Sequence, residues 1–192
     1  MKTLLLTFFL ALALEPLLVR AQTQPNLNWP SGFSPEESSF YVENQIGIFG
    51  SPAEVWRELI RAEDWSSWYS GASDVQIQGE SKEESLQAES SFFWKTMGLE
   101  FISEVREFVP ESRLSWISCK KSIQGYHTWL IIPTRTGCRV ITAESQNGWL
   151  TTMEKLFQPK KLYRQHEDWL QQLKARVENQ QELTVSEVPK FK

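Results

Sequence analysis

The sequence predicts an α+β domain in which a curved antiparallel β-sheet wraps around a long C-terminal α-helix, with two short helices after the first strand. Three observations carry this. Strand-like runs between Gln87 and Gln146 follow one another through tight turns, which leaves no length for the helical crossover that parallel pairing needs. A helix-start signature at Ser51 interrupts the chain after its first strand-like run. The stretch after Gly148 is long and apolar at a 3.6-residue period.

The elements follow in order. Lys2, the apolar run Leu4 to Leu14 and the segment Val19-Arg20-Ala21 read as a signal peptide over residues 1–21, with cleavage after Ala21. The run falls short of the roughly 20 apolar residues a bilayer crossing needs, so stable membrane insertion is not expected. The expected product is secreted or periplasmic. Residues 22–39 form an irregular arm broken by Pro25, Pro30 and Pro35 and carrying Trp29 and Phe33. Phe40 to Phe49 reads as a strand. Ser51 as N-cap, Pro52 at the first helical position and Glu54 reaching back make a capping box, and Val55, Trp56, Leu59 and Ile60 share one face of the helix that follows. Asp64 to Tyr69 predicts a second short helix or turn, and Ala72–Gln78 a strand. Five further strands are expected at about 87–96, 99–108, 113–119, 125–132 and 138–146. Thr151-Thr152-Met153-Glu154 repeats the capping-box pattern and predicts one helix to about Asn179, kinked at Pro159. The domain thus spans 40–179, and 180–192 is expected to be a flexible tail.

Strand alternation assigns the inner face, since directly opposed residues share a side. The turns place Trp94 opposite Phe101, Phe92 opposite Ser103, Val105 beside Trp116, Trp116 beside His127 and Leu114 beside Trp129. Ile131 continues this face. In the last hairpin a two-residue turn adds Val140, Thr142 and Glu144, whereas a bulge substitutes Ile141 and Ala143. The helix stripe is Leu162, His166, Trp169, Leu170, Leu173 and Val177. A concave apolar space between helix and sheet is expected. Cys119 and Cys138 fall at opposite ends of the meander, beyond the roughly 7 Å a disulfide tolerates, so two free thiols are expected despite an oxidising compartment.

Several functions are excluded by what the chain lacks. A net charge of −4, more acidic once residues 1–21 are removed, disfavours nucleic acid and anionic membrane surfaces. Cys-x-x-Cys, His-Glu-x-x-His, a Gly-rich phosphate loop and a nucleophile elbow are all missing, so neither a metal nor a nucleotide cofactor is implied. His127 and His166 are the two histidines. A pocket imidazole can act as acid or base or orient a ligand oxygen, and Glu144 opposite His127 would hold its tautomer. The bland alternative is a pair of buried histidines that are simply hydrogen-bonded. His127 and Glu144 are the catalytic candidates. Phe92, Trp94, Phe101, Ser103, Trp116, His127, Trp129, His166, Trp169 and Leu173 are the candidate ligand-binding set. Trp56, Trp65 and Trp68 form the pocket's rim or brace the fold.

A family resemblance rests on an ordered set of stretches: Ser51-Pro52-Ala53-Glu54-Val55-Trp56 with Trp65-Ser66-Ser67-Trp68; Phe93-Trp94-Lys95-Thr96-Met97-Gly98; Val105 to Leu114-Ser115-Trp116; His127-Thr128-Trp129; Gly137-Cys138-Arg139-Val140 with Glu144-Ser145; and Trp169 to Lys174. Through these, residues 40–178 resemble the SRPBCC superfamily, START-like or Bet v 1-like with a helix-grip fold, and look most like its polyketide cyclase/dehydrase branch. The resemblance implies a cavity for a hydrophobic ligand. It does not separate carriers from enzymes. The leading expectation is an exported protein binding a small hydrophobic or lipid-like molecule, with the tryptophans as walls and the histidines as anchors. The alternative is a cofactor-independent cyclase or isomerase using His127 on a carbonyl-bearing substrate. The third is a protein-interaction domain with a filled core, presenting Trp29 and Phe33.

Overall fold

The chain forms a seven-stranded antiparallel sheet in which the first strand borders the seventh and the others follow in reverse order to the second, with tight turns joining the last five. The computed structural model describes residues 27–79 and 84–186; the expected signal peptide, its cleavage point, arm residues 22–26 and tail residues 187–192 lie outside the described residues. The strands are β1 (Phe40–Ile48), β2 (Ala72–Gln78), β3 (Ser91–Thr96), β4 (Leu99–Val109), β5 (Arg113–Cys119), β6 (Gln124–Thr134) and β7 (Gly137–Asn147). Helices α1 (Pro52–Ile60) and α2 (Trp65–Trp68) join β1 to β2, while α3 (Trp149–Phe157) and α4 (Lys161–Ser186) follow β7. This is the helix-grip arrangement.

Local chemistry explains most boundaries. The Ser51–Glu54 capping box forms, with Glu54 Oε2 accepting from the Ser51 backbone N–H at 2.7 Å. The β3–β4 turn uses Met97 and Gly98, both at positive φ, as a tight hairpin requires. β3 begins at Ser91 rather than 87, because Gln87 to Ser90 closes a turn of its own through Ser90 N–H to the Gln87 carbonyl. The last hairpin takes the two-residue turn: Thr134 pairs with Gly137, Trp129 with Thr142 and His127 with Glu144. Val140, Thr142 and Glu144 therefore face inward, and the other inner-face pairings of β3 to β6 are those expected. Gly137 sits at φ +145°, and a Cβ there would stand 2.1 Å from the Ile48 carbonyl oxygen, so glycine is required where β7 begins against the end of β1.

The C-terminal helix differs from expectation. It is two helices, because Pro159 lacks an N–H and excludes helical backbone from Gln158, which lies at φ −137°. The first begins at Trp149, since Gly148 at φ +111° turns the chain out of β7 three residues before the expected cap at Thr151. The capping box at Thr151 does not form; the Thr151 and Thr152 hydroxyls donate back to the Asn147 and Gly148 carbonyls. α4 continues past Asn179 to Ser186.

The arm lies on the convex face of the sheet. Trp29 packs edge-on against Tyr41 and Tyr126, Phe33 contacts Tyr126, and Asn28 donates to Glu107 at 2.7 Å. Trp29 and Phe33 are half-buried there, which corrects their reading as a free contact surface. On the concave face, α4 presents Trp169, Leu170, Leu173 and Val177 to the sheet. Arg176 of α4 also reaches the Glu58 carboxylate of α1 at 3.0 Å, and that carboxylate is only 4% exposed. Cys119 and Cys138 are free thiols at opposite ends of the sheet, the first paired with Gln124 and the second with Pro133.

Candidate functional site

Inward alternation on β6 and β7 and the stripe of α4 converge on three polar side chains. Glu144 Oε2 accepts from His127 Nδ1 and from His166 Nε2, each at 3.2 Å. Thr142, two residues back on the same face of β7, contacts His127 Nε2 at 2.7 Å. Gln146, two residues on, donates from Nε2 to Glu144 Oε1 at 2.7 Å. Aromatic rings fix the cluster sideways: His127 stacks on Trp116 at 4.7 Å, Trp129 at 5.5 Å and His166 at 4.8 Å between centroids. Both His127 nitrogens are thus engaged, Nδ1–H by the carboxylate and Nε2 by the threonine hydroxyl. His166 keeps Nδ1 without a hydrogen-bond partner among the described residues.

Electrostatics follow from this packing. Burial pushes His127 down to about 4, against the opposing pull of Glu144, so it is neutral at neutral pH. Burial also pushes the Glu144 carboxyl up, but the hydrogen bonds and charges of the two imidazoles outweigh it and hold the group well below the usual carboxylate range. Among the described residues neither Lys nor Arg lines the cavity beside this cluster.

That cavity holds about 30 Å³, room for one or two waters. Of the expected ligand-binding set it is lined by Trp94, Phe101, Trp116, His127, His166 and Trp169; Glu144 lines it too. Phe92, Ser103, Trp129 and Leu173 are not in its wall. Ser103 accepts from the Trp94 indole at 2.9 Å, and Phe92, Trp129 and Leu173 are in the packed core. The roomy space expected between helix and sheet is filled instead. Trp65 of α2, wholly buried, meets Phe92, Trp94, Trp116 and Trp169 at centroid distances of 5.7, 5.8, 5.6 and 5.3 Å. Of its two expected roles, rim or brace, it takes the second, from within the core.

Sequence reasoning missed Tyr69, Gln146 and Gln165, which also line the cavity. Gln146 continues the alternation of Thr142 and Glu144 and was within reach of the pattern. Tyr69, stacked on Trp169 at 4.3 Å, follows a four-residue helix too short to show a periodic face. Thr96, Met97 and Gln165 line both the cavity and a surface recess beside the β3–β4 turn, so they form the partition between the two. Around the cavity the Trp116 and Trp169 indole N–H groups, the Gln146 and Gln165 side-chain carbonyls and His166 Nδ1 are buried without partners among the described residues. His127, Glu144 and His166 also form a set of potential metal ligands whose ligating atoms lie within 4.8 Å of one another. Coming from three elements, they match no local motif, which is why motif spacing implied no metal.

A family model described as polyketide cyclase / dehydrase and lipid transport matches residues 39–178. The chain belongs to this family. It thereby falls in the SRPBCC superfamily, whose fold the sheet and helix order reproduce. No curated protein matches it. Among solved structures, a hypothetical protein from Helicobacter pylori is 24% identical with a TM-score of 0.74, the match covering 81% of this chain and 98% of that one. The di-domain ARO/CYC StfQ from the steffimycin biosynthetic pathway is 13% identical with a TM-score of 0.60, covering 73% of this chain and 51% of its own. A START superfamily protein from Mycobacterium smegmatis is 12% identical with a TM-score of 0.58, covering 72% and 97%. Such identities establish shared fold. As with other folds that host many chemistries, what this polyketide cyclase/dehydrase family member does must be argued from its own site.

Proposed function

We propose that the protein is an exported binding domain for a small, largely apolar molecule that carries both a hydrogen-bond donor and an acceptor. The carrying observation is the ring of unpartnered buried polar atoms around the cavity: indole N–H groups on Trp116 and Trp169, carbonyls on Gln146 and Gln165, and His166 Nδ1. Buried polar groups are nearly always satisfied, and leaving one unpaired costs about 1–3 kcal/mol, so such atoms gathered on residues that line one cavity favour a polar occupant. The ligand's head group meets these atoms, and its body passes the Thr96, Met97 and Gln165 partition into the surface recess. A long acyl chain buried under the helix is disfavoured, because Trp65 occupies that volume. The apolar run of residues 1–21 supports export, which favours a free, diffusible ligand over a nucleotide or thioester.

Extraction of the protein purified from its own organism, followed by mass spectrometry, tests this. A molecule enriched with the unaltered chain and lost from Gln165→Trp, which seals the partition, is the expected result. Extracts that are identical for the two chains would overturn it.

A second reading is acid/base catalysis of the cyclase or isomerase type, favoured by the His166–Glu144 pair. Because His127 has both nitrogens engaged, His166 is the imidazole with a nitrogen to offer, backed by an ionised carboxylate. Once a substrate is known, His166→Gln should abolish turnover; full turnover in that variant would exclude the reading.

A further inference from the structure

We propose that His127, Glu144 and His166 form a binding site for one divalent transition-metal ion of the zinc class, with its open coordination position facing the cavity. This goes beyond the binding reading above and does not rest on it. The donors are the first argument, since two imidazoles and one carboxylate suit zinc or ferrous iron, and three protein ligands leave a position for water or a ligand.

Geometry is the second. Bonds of about 2.05 Å in a tetrahedral site put neighbouring donor atoms about 3.3 Å apart. Glu144 Oε2 is 3.2 Å from both His127 Nδ1 and His166 Nε2, and the three donor atoms all lie within 4.8 Å. Two edges of the coordination polyhedron are therefore in place. The nitrogen–nitrogen edge, no longer than 4.8 Å, is the one that must shorten when the ion is held.

The supporting groups are the third. Metal-bound histidines ordinarily donate their outer N–H to an acceptor, and bound carboxylates are themselves hydrogen-bonded. Thr142 Oγ1 stands 2.7 Å from His127 Nε2, and Gln146 Nε2 donates to Glu144 Oε1 at 2.7 Å, which leaves Oε2 turned toward the two imidazoles between which the ion would sit. When the ion binds, each imidazole keeps one proton and moves it to its outer nitrogen: Nε2–H of His127 then donates to Thr142. On His166 the outer nitrogen is Nδ1, the buried atom without a partner among the described residues, which can then donate to a water or ligand in the cavity. Stacking of His127 on Trp116 and Trp129 holds the ligand in place before the ion arrives.

Charge is the fourth. Among the described residues Glu144 is the one carboxylate in the cavity wall, and no Lys or Arg side chain lines it. Burying a carboxylate is costly, and a cation between the three donors offsets that cost. The positive balance left by a divalent ion favours hydroxide or an anionic ligand group in the open position.

The sequence makes the test unusually clean, because the chain has two histidines, both in this site, and its cysteines lie at opposite ends of the sheet. Untagged protein, stripped with chelator and dialysed, is titrated with Co²⁺ and followed by visible absorption, and with Zn²⁺ by calorimetry. The expected result is one equivalent bound, with the intense d–d bands of four-coordinate cobalt that Zn²⁺ then displaces. His166→Gln removes the bands. Thr142→Val, which keeps all three ligands and the side-chain shape, weakens Zn²⁺ binding by about 10–100-fold while circular dichroism stays unchanged. Substoichiometric binding, weak six-coordinate cobalt absorption, or affinity untouched by Thr142→Val would overturn the proposal in favour of an adventitious ion only. A ligand that co-purifies with metal-free protein would overturn it too, yet leave the binding function standing.

Discussion

Replacing Trp65 with alanine asks whether this core is packed or merely lined. The ring is fully buried and touches Phe92, Trp94, Trp116 and Trp169, and its indole N–H donates to the Leu59 carbonyl at 3.1 Å. Truncating a buried aromatic side chain of this kind costs about 3–5 kcal/mol, from lost transfer energy and the void left behind. Loss of the hydrogen bond adds about 1 kcal/mol where the Leu59 carbonyl finds no other donor. A loss of roughly 4 kcal/mol leaves a domain of ordinary stability, about 5–15 kcal/mol, still folded at room temperature. Urea denaturation followed by circular dichroism measures it, with Trp65→Leu as a milder companion. Because an apolar void bounded by rigid rings stays dry and accepts a ring-sized guest, added indole should recover part of the lost stability in Trp65→Ala and none in the unaltered protein. A destabilisation under about 1 kcal/mol, or no response to indole, would refute the placement of Trp65 as the plug of the core.

Three further outcomes are expected. Arg176→Met strips the main partner from the buried Glu58 carboxylate and should destabilise by about 2 kcal/mol, discounted for the partly exposed arginine; an unchanged urea midpoint would mean that the 3.7 Å contact from Arg57 suffices. In chelator, stability should fall as pH drops from about 6.5 toward 4, because His127 is pushed down to about 4 in the folded chain and the unfolded chain takes up the proton first. The depressed Glu144 extends the loss below the ordinary carboxylate range; a melting temperature flat between pH 7 and 5, or an unaltered slope in His127→Gln, would contradict this. Cys119 is exposed whereas burial pushes the Cys138 thiol up to about 11, so iodoacetamide at mildly alkaline pH should label one site quickly and the second only on unfolding. Mass spectrometry showing equal labelling of both, or of neither after denaturation, would count against the assignment.

Most of the sheet was legible because each hairpin pins its neighbour: once Met97-Gly98 turns, Trp94 must oppose Phe101, and the alternation carries to Trp129. The decisive ambiguity was one residue wide. Only the two-residue turn before Gly137 puts Glu144 beside His127, and nothing local in residues 134–137 excludes the bulge. The state of the cavity was hidden for another reason. Four residues of α2 cannot display a face, so the direction of Trp65, and with it the difference between a lined pocket and a filled one, depends on tertiary packing. Pro159 was visible, but with Gln158 also driven from helical geometry it divides the helix rather than bending it.

The pairing of β1 with β7 also governs when the domain can exist at all. Phe40 pairs opposite Gln146, and among the described residues β1 has no other strand beside it, so the first strand waits for the last. α4, which rests on β1 and β7, is made later still. Closing such distant contacts is entropically slow, and little of it can begin while the chain is still emerging. The sheet is therefore closed at its β1 edge, and the helix seated on it, only when nearly all of the chain has been synthesised.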